Sequence, residues 1–263
     1  MAKKFYVVWQ GRKPGIYSDW NSCKAQVDKF AGAKYKSFPT QAEAQAAFGG
    51  AASAVSKSGS TKSSAVKPAK SAVSAKPNSV KTYTAAEVEV YDAQIKIFTD
   101  GGCDPNPGKA GSGMAVYDNN QISSLWYGLY NPMGTNNTAE LNALYQAMLF
   151  AKDELEQGNS VVIFCDSKYS IQCITQWAAG WQKKGWKKSG GEIKNLDLIK
   201  EMFALYESLK SKLAIKHVNG HVGVEGNELA DRMSILAIAE KPNDFIKYLE
   251  PIDIKSILAM QAG

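Results

Sequence analysis

Hydrophobic and polar positions follow two distinct periods in the part of the chain that begins near residue 85. Short segments in which apolar and polar residues alternate, or in which every residue is apolar, predict strands. They lie at 94–99, 112–117, 123–130, 161–165 and 213–218. Apolar residues spaced at i, i+3 and i+4 predict helices at 138–157, 167–177, 195–211 and 225–240. A strand-rich start followed by alternating strands and helices is typical of an α/β fold. The pattern therefore predicts a mixed five-stranded sheet with helices packed on it.

The first 48 residues contain a second, smaller set of strand and helix patterns. They predict strands at 5–10 and 34–38 and helices at 22–30 and 41–48. Asn21 or Ser22 could cap the first helix, and Thr40 caps the second. The front of the chain is therefore predicted to be a small α+β domain.

The segment between these regions has a different composition. Residues 49–81 contain no acidic or aromatic side chain and are rich in Ala, Ser, Lys, Gly and Pro. Such a segment cannot bury enough apolar surface to offset the entropy cost of ordering it. It is predicted to be a flexible basic linker, which we extend to residue 84. The expected divisions are a front domain at 1–48, a linker at 49–84, a main domain at 85–240 and a C-terminal extension at 241–263, in which Ile252–Met260 could form a short amphipathic helix.

Charge is distributed unevenly along the chain. Residues 1–80 hold 13 Lys and Arg against 3 Asp and Glu, whereas the remainder holds 18 against 22. A basic front on a mildly acidic body suggests that the front binds a polyanion. No run of about 18 apolar residues could span a bilayer, and the four cysteines form no CxxC pair. We therefore expect a monomeric cytoplasmic protein with free thiols and no membrane contact.

Acidic residues at the ends of predicted strands are the main candidates for chemistry. Asp100 and Asp166 each follow an apolar strand, Glu140 lies in the first turn of the long helix, and Asp231 lies in the last helix. Clustered carboxylates repel one another, so a cluster persists only with cations or protons. Hard oxygen ligands of this kind suit Mg²⁺ or Mn²⁺, which commonly act on phosphate esters.

Four segments that contain these acids resemble, in the same order, the motifs of type-1 ribonucleases H. They are Thr99-Asp100-Gly101-Gly102-Cys103 with Asn106-Pro107-Gly108, Asn136-Asn137-Thr138-Ala139-Glu140-Leu141, Cys165-Asp166-Ser167-Lys168-Tyr169, and Gly220-His221 followed by Glu225, Asn227-Glu228 and Ala230-Asp231. The resemblance covers roughly residues 90–240. It implies a ribonuclease H-like mixed sheet with helices on both faces.

The resemblance also implies an activity, which is hydrolysis of the RNA strand of RNA–DNA hybrids. Asp100, Glu140, Asp166 and Asp231 would hold two Mg²⁺ ions about 4 Å apart, with Mn²⁺ as a possible substitute. One ion would activate the attacking water and the other would stabilise the leaving 3′-oxygen, giving 5′-phosphate and 3′-hydroxyl ends. His221 is similar to the family's mobile histidine, which is thought to assist proton transfer or product release. We assign His217, in a strand pattern, to packing.

Further positions match the family's substrate contacts. Those implied on the DNA strand are Thr135, Trp177, Trp181, Lys183, Lys184 and Asn195, and those implied on the RNA strand are Cys103, Asn106, Asn136 and Lys168. Many relatives carry Gln where this chain has Lys168. The interleaved Trp and Lys residues at 177–188 suit a surface that follows a phosphate backbone. They equally fit a helix with its tryptophans in the core and its lysines in solvent.

The front module resembles the hybrid-binding domain that precedes some type-1 enzymes. The likeness lies in Phe5-Tyr6-Val7-Val8, Gly11-Arg12-Lys13 with Gly15, Asp19-Trp20-Asn21 with Cys23, and Lys34-Tyr35-Lys36-Ser37-Phe38. It implies contacts from Tyr6, Trp20, Tyr35 and Lys36 to an RNA–DNA hybrid, while Ser37 stands where a second Lys is often found.

Two other hypotheses fit the same motifs. The chain could be a non-catalytic protein that binds RNA–DNA hybrids through a degenerate nuclease domain. It could also be a relative on the same fold that cuts DNA. The intact set of four acids and His221 argue against the first hypothesis. The Trp- and Lys-rich segment at 177–188 and the front module argue against the second.

Overall fold

The computed structural model describes residues 5–28, 30, 33–38, 40–49, 80–220 and 223–263. The chain divides into two compact units, Met1–Val73 and Ser74–Gly263. Most of the predicted linker and the candidate residue His221 lie outside the described residues.

The first unit is a three-stranded antiparallel sheet with two helices. Its elements are β1 Phe5–Gln10, β2 Gly15–Tyr17, α1 Trp20–Val27, β3 Lys34–Phe38 and α2 Gln41–Gly49. The strand order is β2-β1-β3, and Val8, Cys23 and Val27 form a small buried core. The predicted cap of α1 is wrong, because the carboxylate of Asp19 accepts the N–H of Ser22 at 2.8 Å. An Asp in this position satisfies a free helical N–H, so the helix begins earlier than the apolar period suggests.

The second unit contains the larger sheet and the remaining helices. Its elements are β4 Thr82–Tyr83, α3 Ala85–Glu89, β5 Ile95–Asp104, β6 Gly108–Asp118, β7 Gln121–Gly134, α4 Asn136–Glu156, β8 Val161–Cys165, α5 Lys168–Gln172, α6 Ala178–Lys183, α7 Leu196–Leu209, β9 Ala214–Val218, α8 Glu225–Glu240, β10 Phe245–Lys247 and α9 Ile254–Leu258. A π-helical segment, Cys173–Trp177, joins α5 to α6.

The sheet of the second unit is mixed, and its strand order is β10-β7-β6-β5-β8-β9-β4. The five predicted strands are β5 to β9. Neighbouring pairs among β5, β6 and β7 are antiparallel, whereas β8 pairs in parallel with both β5 and β9.

Two short edge strands are additions to the predicted sheet. Within the described part of the chain the sheet therefore has seven strands rather than five. β4 comes from residues that the sequence assigned to the linker, and β10 from residues assigned to the C-terminal extension. Strands of two and three residues are too short to show a hydrophobic period.

Both faces of the sheet are covered by hydrophobic clusters. On one face Ile97 and Ile163 pack with residues of α4 and α7. On the other, Phe98 and Phe164 stack at 5.2 Å between ring centroids and pack with residues of α8. Successive side chains of a strand point to opposite faces, which explains why β8 is apolar throughout.

The C-terminal residues pack onto the second of these clusters. Ile257 of α9 is buried there, and Ile252, Ile254 and Leu258 contact the same cluster. Residues 252–260 thus include the short helix that the sequence suggested, and it packs on its own domain.

None of the helices in the described ranges is both long enough and apolar enough to cross a membrane.

Candidate active site

Two of the predicted acidic residues become neighbours because β5 and β8 are adjacent parallel strands. Thr99 pairs with Cys165, so the residues that follow, Asp100 and Asp166, lie side by side. The sequence predicted that the first strand would stop at Asp100, but β5 continues to Asp104 because β6 remains paired with it that far. Asp100 therefore projects from within a strand, which holds its backbone rigidly.

Glu140 reaches the same place from the first turn of α4. Thr135 caps this helix by accepting the N–H of Thr138 at 3.2 Å. The hydroxyl of Ser112 on β6 donates to the carbonyl of Ala139 at 2.8 Å and fixes the helix against the sheet. Gly101 permits the close approach, because a Cβ at this position would collide with the backbone of α4.

Asp231 is supplied by α8, which packs on the opposite face of the sheet. The carboxylate of Asp231 accepts a hydrogen bond from the guanidinium of Arg232. It also accepts from the backbone N–H of Gly263, whose nitrogen lies 3.1 Å from Oδ1 and 3.2 Å from Oδ2 of Asp231. Arg232 also donates to the carbonyl of Leu258 at 3.3 Å. The C-terminal segment therefore helps to orient this acid.

The four acids line one cavity of about 220 Å³. Three of them are buried: the relative solvent exposure is 7% for Asp100, 6% for Glu140 and 3% for Asp231. Sequence order separates these residues by up to 131 positions, so only the fold brings them together.

The electrostatics of the cavity disfavour several ionised carboxylates at once. Burial raises the pKa of Asp100 well above its usual value, and the nearby Asp166 and Asp231 raise it further, while the N–H of Gly101 opposes the shift. Burial also raises the pKa of Glu140, with added repulsion from Asp100 and Asp166.

Glu140 provides the direct indication that this cavity suits a cation. Its buried Oε2 atom has no hydrogen-bond partner among the described residues. A buried carboxylate oxygen without a donor is costly, and a divalent cation shared with the neighbouring acids would remove that cost. Three or four carboxylates form a donor set typical of Mg²⁺ or Mn²⁺ sites.

The raised pKa values predict that the metal-free protein loses stability as pH rises. Asp100 and Glu140 have ordinary pKa values of 3.8 and 4.5, and both are higher in the folded state. Their contribution to stability is complete below those ordinary values and is lost as pH rises through the folded pKa values. Added Mg²⁺ should restore the melting temperature at high pH if the acids hold it, because a cation held by these four acids would bind only the folded state.

Thermal denaturation between pH 4 and pH 9, with EDTA and with Mg²⁺, measures this effect. The matched variant Asp100→Asn should flatten the pH profile in EDTA. Identical profiles for the metal-free and metal-loaded protein would contradict the interpretation.

Beside the cavity, two residues expected to contact the DNA strand share a hydrogen-bond network. The hydroxyl of Thr138 lies 2.8 Å from that of Thr135 and donates to Asn195 at 3.1 Å. Asn195 adopts a left-handed backbone conformation, with φ of 56°. Thr135 and Asn195 therefore lie close together, because the hydroxyl of Thr138 bonds to both side chains.

Two of the residues expected to contact the RNA strand line the cavity, and a third is hydrogen-bonded to one of them. Asn106 accepts the N–H of Asn136 at 3.2 Å through its side chain. Cys103 and Asn136 line the cavity with the acids. Lys168 is exposed at the start of α5.

The Trp- and Lys-rich segment has its tryptophans partly in the core and its lysines in solvent. Trp177 and Trp181 are half-buried, with ring centroids 5.9 Å apart, and both pack against the hydrophobic core. Lys183 and Lys184 are exposed at the end of α6. The buried part of each tryptophan therefore stabilises the fold, and the two lysine side chains are accessible to a negatively charged partner.

Two further polar residues hold Asp166 in place. The side-chain amide of Asn227 donates to its carboxylate at 3.3 Å. The ring of His217 is buried and bonds through Nε2 to the carbonyl of Asp166 at 3.0 Å and through Nδ1 to Thr82 at 2.8 Å. The sequence placed Asn227 in a motif without a role and assigned His217 to packing. Their partners are more than 50 residues away in the chain, so the sequence offered no signal for these contacts.

The RNase H family model matches residues 92–238, which include all four acids. The chain belongs to the ribonuclease H family. Residues 4–48 separately match the ribonuclease H1 N-terminal domain. This ribonuclease H is accordingly an endonuclease that acts on the RNA strand of RNA–DNA hybrids.

Relatives of similar length support the assignment. The chain is 31% identical to mouse (Mus musculus) ribonuclease H1 and 32% identical to the human (Homo sapiens) enzyme, in each case over 88% of this chain and 87% of the relative. The crystal structure of LC9-RNase H1, a type 1 RNase H with the type 2 active-site motif, superposes with a TM-score of 0.50 at 22% identity. That superposition covers 65% of this chain and 83% of the other, and it shows that the fold is shared.

Proposed function

We propose that Asp100, Glu140, Asp166 and Asp231 hold two Mg²⁺ ions with which this ribonuclease H cleaves RNA. The unpartnered buried oxygen of Glu140, among acids whose pKa values are raised, is the observation that carries the proposal. Bound ions of this type supply Lewis acidity and lower the pKa of water. Mn²⁺ has the same preference for oxygen and could substitute.

The chain's own residues position the substrate around these acids. Thr135 and Asn195 bind a phosphate of the DNA strand, and the exposed Lys183 and Lys184 attract the same strand. Trp177 and Trp181 present their exposed edges to its sugars.

Recognition of RNA is assigned to Cys103, Asn106, Asn136 and Lys168. Asparagine side chains can donate to and accept from a 2′-hydroxyl, which is the group that distinguishes RNA from DNA. The contact between Asn106 and Asn136 holds both residues at the rim of the cavity. His221 is proposed to carry protons during turnover, since its ordinary pKa is near neutrality.

Isothermal titration of the metal-free protein with Mg²⁺, joined to cleavage of a labelled hybrid, tests the proposal. We expect Mg²⁺-dependent products with 5′-phosphate and 3′-hydroxyl ends, with RNA duplex and DNA duplex left intact. Cleavage that persists in EDTA would overturn the metal mechanism. Cleavage of the DNA duplex would instead favour a nuclease of different specificity on the same fold.

Asn227 is proposed to act through Asp166 as a positioning residue. Replacing it by Ala removes the amide that orients this carboxylate, and activity should fall by about 10–100-fold. Hybrid binding in EDTA should be unchanged. Asn243→Ala, an exposed Asn in the same unit, is the control, and equal activity of both variants would rule out the role.

The front unit is proposed to bind hybrid through a patch of aromatic residues. Trp20 lies 5.5 Å from Tyr6 and 5.8 Å from Tyr35 between ring centroids, and Trp20 and Tyr35 are 41% and 46% exposed. Lys36 is exposed on the neighbouring position of β3. Exposed aromatic rings next to a basic side chain suit stacking on nucleic-acid sugars and bases.

Combining Trp20→Ala, Tyr35→Ala and Lys36→Ala should weaken binding to a long hybrid by at least roughly tenfold. Products should also become longer at moderate salt, because a tethered second binding unit no longer raises the local concentration of substrate. Lys24→Ala, which removes an exposed Lys from α1, controls for charge alone. Unchanged product lengths in the triple variant would refute this role.

We further propose that the enzyme acts as a monomer in the cytoplasm. The four cysteines are free, which suits a reducing compartment. Light scattering of the purified protein and fractionation of cells test the two statements separately.

A further inference from the structure

A cysteine thiol lies close to two of the proposed metal ligands. The Sγ atom of Cys165 and carboxylate oxygens of Glu140 and Asp166 all lie within 4.8 Å of one another. Strand alternation alone would turn Cys165 away from Asp166, but the start of α4 brings Glu140 over the thiol. The three side chains could therefore converge on one ion.

The donors of this trio differ in kind from those of a magnesium site. Thiolate sulfur is a soft ligand that favours Zn²⁺ and related ions, whereas Mg²⁺ takes oxygen ligands almost exclusively. Zinc binds Cys sulfur at about 2.3 Å and carboxylate oxygen at about 2.0–2.2 Å.

The burial and hydrogen bonding of the trio support the binding of a cation. Glu140 is buried with an oxygen that has no hydrogen-bond partner among the described residues. Cys165 is fully buried, and its thiol makes a long contact of 3.8 Å to the carbonyl of Ser167. Two members of the trio, Glu140 and Asp166, also line the cavity that holds the other acids.

We propose that Cys165, Glu140 and Asp166 form a binding site for a thiophilic divalent cation such as Cd²⁺ or Zn²⁺. Binding replaces the S–H bond by a sulfur–metal bond and releases the proton to solvent, so no oxidant or reductant is required. The site shares two ligands with the proposed magnesium site, and the two kinds of ion therefore exclude each other. That competition rests on the proposed function, whereas the binding of Cd²⁺ does not.

Titration of the full-length metal-free protein with CdCl₂, followed by sulfur-to-cadmium charge-transfer absorption, tests the site directly. The wild type should show a saturable signal that added MgCl₂ shifts to higher Cd²⁺ concentration. Cys165→Ser and Cys165→Ala should lose the signal and bind Cd²⁺ at least roughly tenfold more weakly. Circular dichroism should show that at least one of these variants is folded.

Two other cysteines provide the controls. Cys173 is buried in the same unit but away from the acids, and Cys173→Ala should retain the signal. Cys103 lines the cavity, so Cys103→Ser tests whether that thiol is the ligand instead.

Loss of the signal in Cys103→Ser with retention in Cys165→Ser would overturn the proposal, as would absence of a signal in the wild type. Cd²⁺ binding that Mg²⁺ does not affect would leave the thiol site intact and count against the proposed magnesium ligands. The two proposals can thus fail separately.

Discussion

Asp100→Asn is expected to lower the rate of hybrid cleavage by at least about 10³-fold, because loss of several kcal/mol of metal-based stabilisation corresponds to that factor. Asp100 is central to the acid cluster, since its carboxyl is influenced by both Asp166 and Asp231. An amide keeps the shape of the side chain but carries no charge to attract a cation. Single-turnover cleavage of a defined hybrid in Mg²⁺ measures the effect.

Binding measurements separate this loss of chemistry from a loss of structure. Asp100→Asn should bind hybrid as tightly as the wild type and should melt no lower in EDTA, because the substitution removes a buried charge. Asp153→Asn, at an exposed position of α4, should retain full activity. If the wild type and Asp100→Asn both bound hybrid without cutting it, the chain would be a hybrid-binding protein rather than a nuclease.

Gly101→Ala is expected to destabilise the second unit by about 3 kcal/mol, at the upper end of the usual cost of overpacking. A Cβ at this position would collide with the backbone of Ala139 and Glu140, and a helix backbone cannot rotate away as a side chain can. The melting temperature should fall by about 6–12 °C for a unit of this size. Activity should fall as well, because the collision displaces the turn that carries Glu140.

Gly180→Ala is the matched control for this prediction. Gly180 lies inside α6, and a Cβ there meets no atom within 4 Å. Ala is favoured over Gly in a helix by up to about 1 kcal/mol, so this variant should be slightly more stable than the wild type. Similar melting temperatures for the two variants would contradict the prediction, because they would show that α4 can move to accommodate a Cβ at Gly101.

The central strands and most helices could be predicted because each is long enough to display its period. β8 is apolar at every position, and α4 repeats its apolar residues over 21 residues. Short elements gave no such signal. β4 and β10 are strands only because an existing sheet edge offers them hydrogen-bond partners.

The four acids could be identified from their motifs, because each motif is local in the chain. Their surroundings could not. The sequence gives no sign that Asn227 and His217 hold Asp166, or that the backbone of Gly263 contacts Asp231. These are contacts between distant segments, and they depend on how helices and strands pack.

The sequence by itself thus determined the five central strands of the main sheet, the nature of the front module and the four acids proposed to hold metal ions, since periodicity and motif spacing are properties of neighbouring residues. Only the tertiary structure decided that Glu140 is buried with an oxygen that has no donor among the described residues, and that the Sγ atom of Cys165 lies within 4.8 Å of a carboxylate oxygen of Glu140. Burial and proximity arise when α4 packs across β5 and β8. The physical reason is that desolvation and charge repulsion depend on distances through space, which the order of residues does not contain.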